Sequence, residues 1–228
     1  MTLRQLGQGF FTVSISRGRL DLEDCDISSQ GLTCVAIHGS ADPRLRRNRI
    51  HDSKQGGVFV YEQGRGTLED NDIFANVLAG VLIKEGGDPV LRRNRIRNGK
   101  EDGVFVYEQG RGTLEDNEIF GNAGDGVTIQ EGGDPVLRRN RIYESKQNGV
   151  LICEHGRGSL EDNDIFANAH AGVQITTSGA PVVHRNRITQ NGYEAIWLAE
   201  GGGGTFEDND LRGNERGPWD IGKECESK

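Results

Sequence analysis

The stretch TLEDNDIF, Thr67–Phe74, returns 23 residues later as VLRRNRIR, Val90–Arg97. Leucine, asparagine and isoleucine keep their places while the charges between them change sign. Aligned on the asparagine, the frame runs through Asn48, Asn71, Asn94, Asn117, Asn140, Asn163, Asn186 and Asn209 in steps of 23, and one step back meets Cys25 in LEDCDI. A fixed period of this length is the mark of a chain built from stacked repeats.

Four apolar positions ride on the frame. Leucine or another apolar residue stands three before the asparagine, from Leu22 to Phe206, and isoleucine or leucine two after it, from Ile27 to Leu211. Pairs such as Val58/Val60, Val81/Ile83, Val104/Val106 and Val127/Ile129 follow at ten and twelve, bounded by glycine before and by bends such as EGGDP or EQGRG after. Helical 3.6-residue stripes are absent, as is the clustered leucine pattern of a leucine-rich repeat. The pattern predicts an all-β parallel β-helix of about nine 23-residue coils, each with three short strands and an asparagine stacked at one corner. With roughly 4.8 Å per coil the rod is about 43 Å long. We expect one domain over 1–228: a partial coil or cap over 1–20, regular coils over 21–221 with Trp219 and Ile221 inward, and a frayed tail over 222–228.

Stacking explains the charge reversal. Two before the asparagine the column reads Glu23, Arg46, Glu69, Arg92, Glu115, Arg138, Glu161, His184, Glu207; the columns one before and one after alternate in the same way. Opposite charges then lie one strand spacing apart, each between two partners, and a slip by one coil would bring like charges together along three columns. The larger repeat is therefore 46 residues, as the copies of GVFVYEQGRGTLEDN at 57 and 103 show. These residues are structural, which removes most of the Asp, Glu and Arg from the list of functional suspects.

A net charge of −8 argues against nucleic acid, since phosphate binding needs a basic face. No apolar run is long enough to span a membrane and the N-terminus has no signal-peptide core. Cys25, Cys34, Cys153 and Cys225 lack metal-ligand spacing, which points to free thiols, a reducing compartment and a cytoplasmic location. No cofactor, metal ligand set or catalytic residue stands out, and the reading leans against an enzyme.

Candidate functional residues are those that alternation turns outward. Between and beyond the inward valines lie Phe59, Tyr61, Leu82, Phe105, Tyr107, Leu151 and Trp197, an aromatic strip of the kind that marks an interaction surface. Beside it runs a column that breaks the alternation, Glu62, Glu85, Glu108, Glu131 and Glu154, where stacked like charges call for a cation, a basic partner, splaying into solvent, or pairing with Arg65, Arg111 and Arg157.

The segments PVLRRNRI, GVFVYEQGRGTLEDNDIFAN and AGVLI resemble the right-handed parallel β-helix repeats of the pectate-lyase-like superfamily, and within it those of the F-box only ubiquitin-ligase substrate adaptors, over roughly Asp42–Asn214. The resemblance implies a right-handed rod that binds proteins or carbohydrates. It does not carry the ligase function, for no F-box precedes the repeats and no cysteine/histidine zinc module follows them. The sequence reading is a non-catalytic scaffold binding a protein partner as a module of a larger protein, with a carbohydrate-binding or polysaccharide-processing module as the alternative.

Overall fold

The computed structural model describes residues 1–7 and 9–225. These form 28 strands in three parallel sheets of nine, nine and ten strands. In a middle coil Thr113–Glu115 lies in the first sheet, Glu118–Phe120 in the second and Val127–Ile129 in the third, and the chain re-enters the first at Val136–Arg138. Leu91, Leu114 and Leu137 pair in register, each 23 residues from the next. This is the expected parallel β-helix, with about ten turns rather than nine. The N-terminal segment contributes Thr2–Gln5 to the second sheet and the eight-residue strand Phe11–Gly18 to the third, where the register shifts between Ile15 and Arg17.

The inward frame is as the sequence implies: Leu68, Ile73, Val81, Ile83 and their equivalents in the middle coils are wholly buried. Side chains of the three sheets meet along the axis, each worth roughly 1.5–3 kcal/mol when fully buried. Glycine precedes the third strand because the wall is tight there. A Cβ on Gly103 would lie 2.5 Å from both the Gly126 carbonyl oxygen and Ile119 Cγ2. At the far end Trp219 and Ile221 keep the inward register, opposite Ile196 and Leu198, yet are 37% and 46% exposed. No further coil among the described residues covers them. The frayed tail expected from 222 on begins instead as a turn, with the Gly222 N–H donating to the Leu198 carbonyl at 2.8 Å and the Cys225 N–H to the Gly222 carbonyl at 3.1 Å; residues 226–228 lie outside the described residues.

Three polar columns hold the corners. In the first, Asn71 donates from its backbone N–H (3.0 Å) and its Nδ2 (2.9 Å) to Asn94 Oδ1, while Asn94 Nδ2 donates to the Leu68 carbonyl at 2.8 Å. The series repeats from Asn48 to Asn209 and is closed at the N-terminal end by the Cys25 N–H on Asn48 Oδ1. A second ladder, five residues after the first, was not anticipated. Asn168, Asn191 and Asn214 bond in the same way, Asn76 and Asn122 hold equivalent places, and Ser53, Gly99 and Ser145 alternate with them. The third column, eight after the first asparagine, reads Gly56, Ala79, Asp102, Asp125, Asn148, Ala171, Glu194. Asp102 Oδ1 accepts the Asp125 N–H at 2.8 Å, and Asp125 Oδ1 accepts both the Asn148 N–H at 2.7 Å and its Nδ2 at 2.9 Å. Burial, helped by the neighbouring Asp125 carboxylate, pushes the Asp102 carboxyl up to about 6, and burial also raises Asp125.

The charge columns pair, though not each between two partners of its own column. In the column before the asparagine each arginine turns back to one aspartate: Arg93 to Asp70 at 2.9 Å, Arg139 to Asp116 at 2.8 Å, Arg185 to Asp162 at 2.9 Å. That column sits in left-handed backbone, with φ of 56° at Asp70 and 52° at Arg93, so its side chains swing sideways as well as outward. The glutamates bind the coil pairs together: Glu69 takes Arg44 and Arg93, and Glu115 takes Arg92 and Arg139. The guanidinium hydrogen bonds hold the carboxyls of Glu69, Glu115 and Asp116 below their usual range.

Two outcomes follow. Asn94→Ala removes the acceptor of two buried donors and one of the donors to the Leu68 carbonyl, which costs about 3 kcal/mol, whereas Asn209→Ala at the half-buried end of the ladder costs about 1 kcal/mol or less because water reaches the freed groups. Urea unfolding of both variants reads the difference, and equal small losses would refute a ladder that bears weight. The pH dependence has two limbs. Carboxyls depressed in the fold contribute stability that is complete above their unfolded values near 4 and is lost as pH falls further. Asp102, raised to about 6, has the opposite sign, so the cost of its charge is relieved as pH falls from 7 to 5. The urea midpoint should therefore peak near pH 5, and Asp102→Asn should flatten the limb above it.

Candidate functional site

Two aromatic strips run along this rod, and what surrounds each decides which is open to a ligand. The strip that went unnoticed in the sequence lies on the second sheet, three residues after each asparagine. Phe120, Tyr143 and Phe166 stack face to face with centroids 4.9 Å apart, and His51 stacks on Phe74 at 4.8 Å. The arginines of the charge column lie over these rings, Arg95 on Phe120 at 5.5 Å and Arg141 on Tyr143 at 5.3 Å, and Arg97 covers Phe74 at 4.6 Å. This strip is capped by its own chain. The column His51, Phe74, Phe120, Tyr143, Phe166 was readable at the 23-residue period, as was the second asparagine ladder.

The predicted strip lies on the third sheet, where Phe59, Leu82, Phe105, Leu151 and Trp197 all point away from the core and are half-buried. Thr128, in the same outward column, is nearly covered at 4% exposure because Asp125 packs beside it. Phe59 stacks on Tyr61 and Phe105 on Tyr107, each at 4.5 Å, as paired aromatic platforms; Lys84 lies over Phe59 and Tyr107 at 6.0 and 5.6 Å, while among the described residues no Lys or Arg lies over Phe105. Trp197 stands apart from these, tilted against Tyr193 at 6.5 Å.

Glu62, Glu85, Glu108, Glu131 and Glu154 form the expected column at the turn that leaves this sheet. All adopt left-handed backbone, φ 45–49°, so the turn fixes their direction. Their pairing differs from the expectation. Among the described residues Arg65, Arg111 and Arg157 make no ion pair; Lys84 bridges Glu85 at 2.7 Å and Glu108 at 3.2 Å, and His38 lies 3.5 Å from Glu62. Glu131 and Glu154 have no Lys, Arg or His partner among the described residues, Glu131 accepting only a hydrogen bond from Gln130 Nε2 at 3.2 Å.

Where the strip meets the third polar column there is a cleft of about 380 Å³. Leu82, Phe105 and Tyr107 form its apolar part, Leu78 its exposed lip, and Glu101, Asp102, Gln130 and Glu131 its polar edge. The half-buried acid Asp102 therefore borders the aromatic platform. The sequence offered one signal for it: at this repeat position the two preceding coils have Gly56 and Ala79, and Asp102 and Asp125 break the column of small residues. Cys153 lies nearby, its thiol pushed up to about 11 by burial and so unreactive as a thiolate. No group of three or more His, Cys, Asp and Glu among the described residues is placed to hold a metal ion, and no described helix is long and apolar enough to cross a membrane.

Comparison with solved structures finds the same architecture in polysaccharide-processing enzymes. A double-mutant form of the periplasmic alginate epimerase AlgG superposes with a TM-score of 0.70 at 13% identity, over 96% of this chain and 69% of the epimerase. A pectate lyase gives 0.62 at 12% identity, over 92% and 70%, and the A-module of a mannuronan C-5 epimerase from Azotobacter vinelandii gives 0.52 at 11%, over 94% and 90%. At these identities the likeness is one of fold. No curated protein sequence matches the chain. The model of the right-handed β-helix region matches residues 8–129 and 80–226, nearly the whole chain. The three-sheet coil, its 23-residue register and this match together make the chain a member of the right-handed β-helix family.

Proposed function

We propose that this chain is a polysaccharide-binding β-helix module whose ligand lies along the outer face of the third sheet, a reading preferred here over the protein scaffold that the sequence alone favours. The observation that carries it is the cleft at Phe105 and Tyr107, where an aromatic platform is bordered by carboxylates and an amide. A sugar ring offers one face of C–H groups to an aromatic ring and a rim of hydroxyls to such acceptors. A rod that repeats its outward side chains at each coil suits a linear polymer, which meets one set of contacts after another. The fold shared with alginate epimerases and a pectate lyase supports the ligand class. Asp125, the carboxylate next to Asp102, is engaged by Asn148 and Thr128 and so belongs to the stacked column rather than to the lining of the cleft.

A protein partner is the second reading. Its support is the exposed Leu78 beside Leu82 and Phe105, which extends the apolar surface beyond the rings, together with the resemblance to the F-box adaptor repeats.

The test is a panel of soluble oligosaccharides, of neutral, anionic and amino-sugar type, titrated against the wild type and against Phe105→Ala and Tyr107→Ala after circular dichroism shows retained β structure. Loss of one platform ring should weaken the best glycan about tenfold, or about 1.4 kcal/mol. Affinity unchanged in both variants would refute the third sheet as the site, and saturable capture of one protein with no glycan bound would favour the second reading.

A further inference from the structure

The internal repeat supplies its own template for what the cleft takes. Lys84 places its ammonium 6.0 Å from the Phe59 ring and 5.6 Å from the Tyr107 ring, and pairs with Glu85 and Glu108 at 2.7 and 3.2 Å. The hydrogen bonds it donates to these carboxylates hold its amine well above the usual lysine range. Two rings and two carboxylates thus form a cage around an alkylammonium ion.

Forty-six residues on, at the true repeat, the lysine is replaced. Phe105 stands for Phe59, Glu131 for Glu85 and Glu154 for Glu108, while Gln130 takes the place of Lys84 and Cys153 that of Tyr107. Gln130 donates to Glu131 as Lys84 does to Glu85, but a neutral amide leaves both carboxylates uncompensated. This second copy borders the cleft through Phe105, Gln130 and Glu131, and Tyr107 from the preceding coil, Glu101 and Asp102 join them; the lining itself holds no Lys, Arg or His, and Lys84 lies outside it, 5.6 Å from the Tyr107 ring. One half of the face therefore carries its own cation, and the other keeps the anionic, aromatic surroundings without one.

We infer that the cleft receives a protonated primary amine of an amino-sugar polysaccharide, held by Glu131 at its polar edge with the sugar ring on Phe105 and Tyr107. The inference rests on the glycan reading above and narrows it to cationic chains. Anionic chains are opposed by the same carboxylates.

The experiment titrates glucosamine oligomers, their N-acetylated counterparts and galacturonate oligomers into the full chain by calorimetry, below the titration range of the amine, with pentalysine as a carrier control. Glucosamine oligomers should bind about tenfold tighter than the N-acetylated series, with the advantage falling as salt rises. Gln130→Lys, which puts a tethered ammonium where Lys84 has one, should abolish that advantage while leaving the N-acetylated oligomers bound. Glu131→Gln should reduce it in the same direction, and circular dichroism confirms that both variants fold. Equal affinity for the two series, or tighter binding of galacturonate, would overturn the inference while the glycan reading stands. Binding of pentalysine but of no oligosaccharide would overturn both, as would no binding at all.

Discussion

Backbone hydrogen bonds hold the coils in a 23-residue register, so between the end coils each side chain lies between the residues that hold its own repeat position one coil before and one coil after. This constraint governs what the sequence can hold at each position. Inward, it demands residues that stack on copies of themselves, and branched aliphatics do so while filling the axis. At the corners it demands a side chain that both donates and accepts, which asparagine does: its amide oxygen receives from the coil before, and its Nδ2 gives to that coil's backbone and to the amide oxygen of the coil after. Outward, it penalises any charged column of a single sign, and the alternating columns avoid that penalty.

The charges are organised differently on different faces. Beside the second sheet Arg49, Arg95, Arg97, Arg141 and Arg187 are each paired with a carboxylate and lie over the aromatic rings, so this stretch of surface is closed and electrically settled. Along the third sheet the glutamate column keeps one sign, and Lys84 beside it pairs only with Glu85 of its own coil and Glu108 of the next. The same repeat thus produces a self-satisfied face and an incompletely satisfied one. The cleft falls on the latter, at the place where Asp102 and Asp125 interrupt a column of small residues. A departure from a strict repeat there is more telling than any of the repeated carboxylates, because stacking does not require it.

Legibility followed the period. The inward frame, the first asparagine ladder and the sign alternation were all visible, because in a solenoid equal positions become neighbours and the period alone states who meets whom. The second asparagine ladder and the second aromatic strip obey the same rule. They escaped notice because serine, glycine, arginine and threonine interrupt their columns. Trp219 shows the limit of the frame in another way: its register was right, yet burial needs a coil above it as well as a register.

What the sequence determined by itself is the coil: three strands, their facing, the polar corner and the charge order. Tertiary structure decided everything that joins unequal positions. The Arg93 guanidinium reaches Glu69 as well as Asp70, Lys84 meets rings from the coils on both sides, and Asp102 gains its raised carboxyl from burial beside Asp125. The period states which equal positions stack, but the twist of each turn and the rotamer of each long side chain decide the diagonal contacts. On the third sheet it is those diagonal contacts that make a cleft out of a repeat.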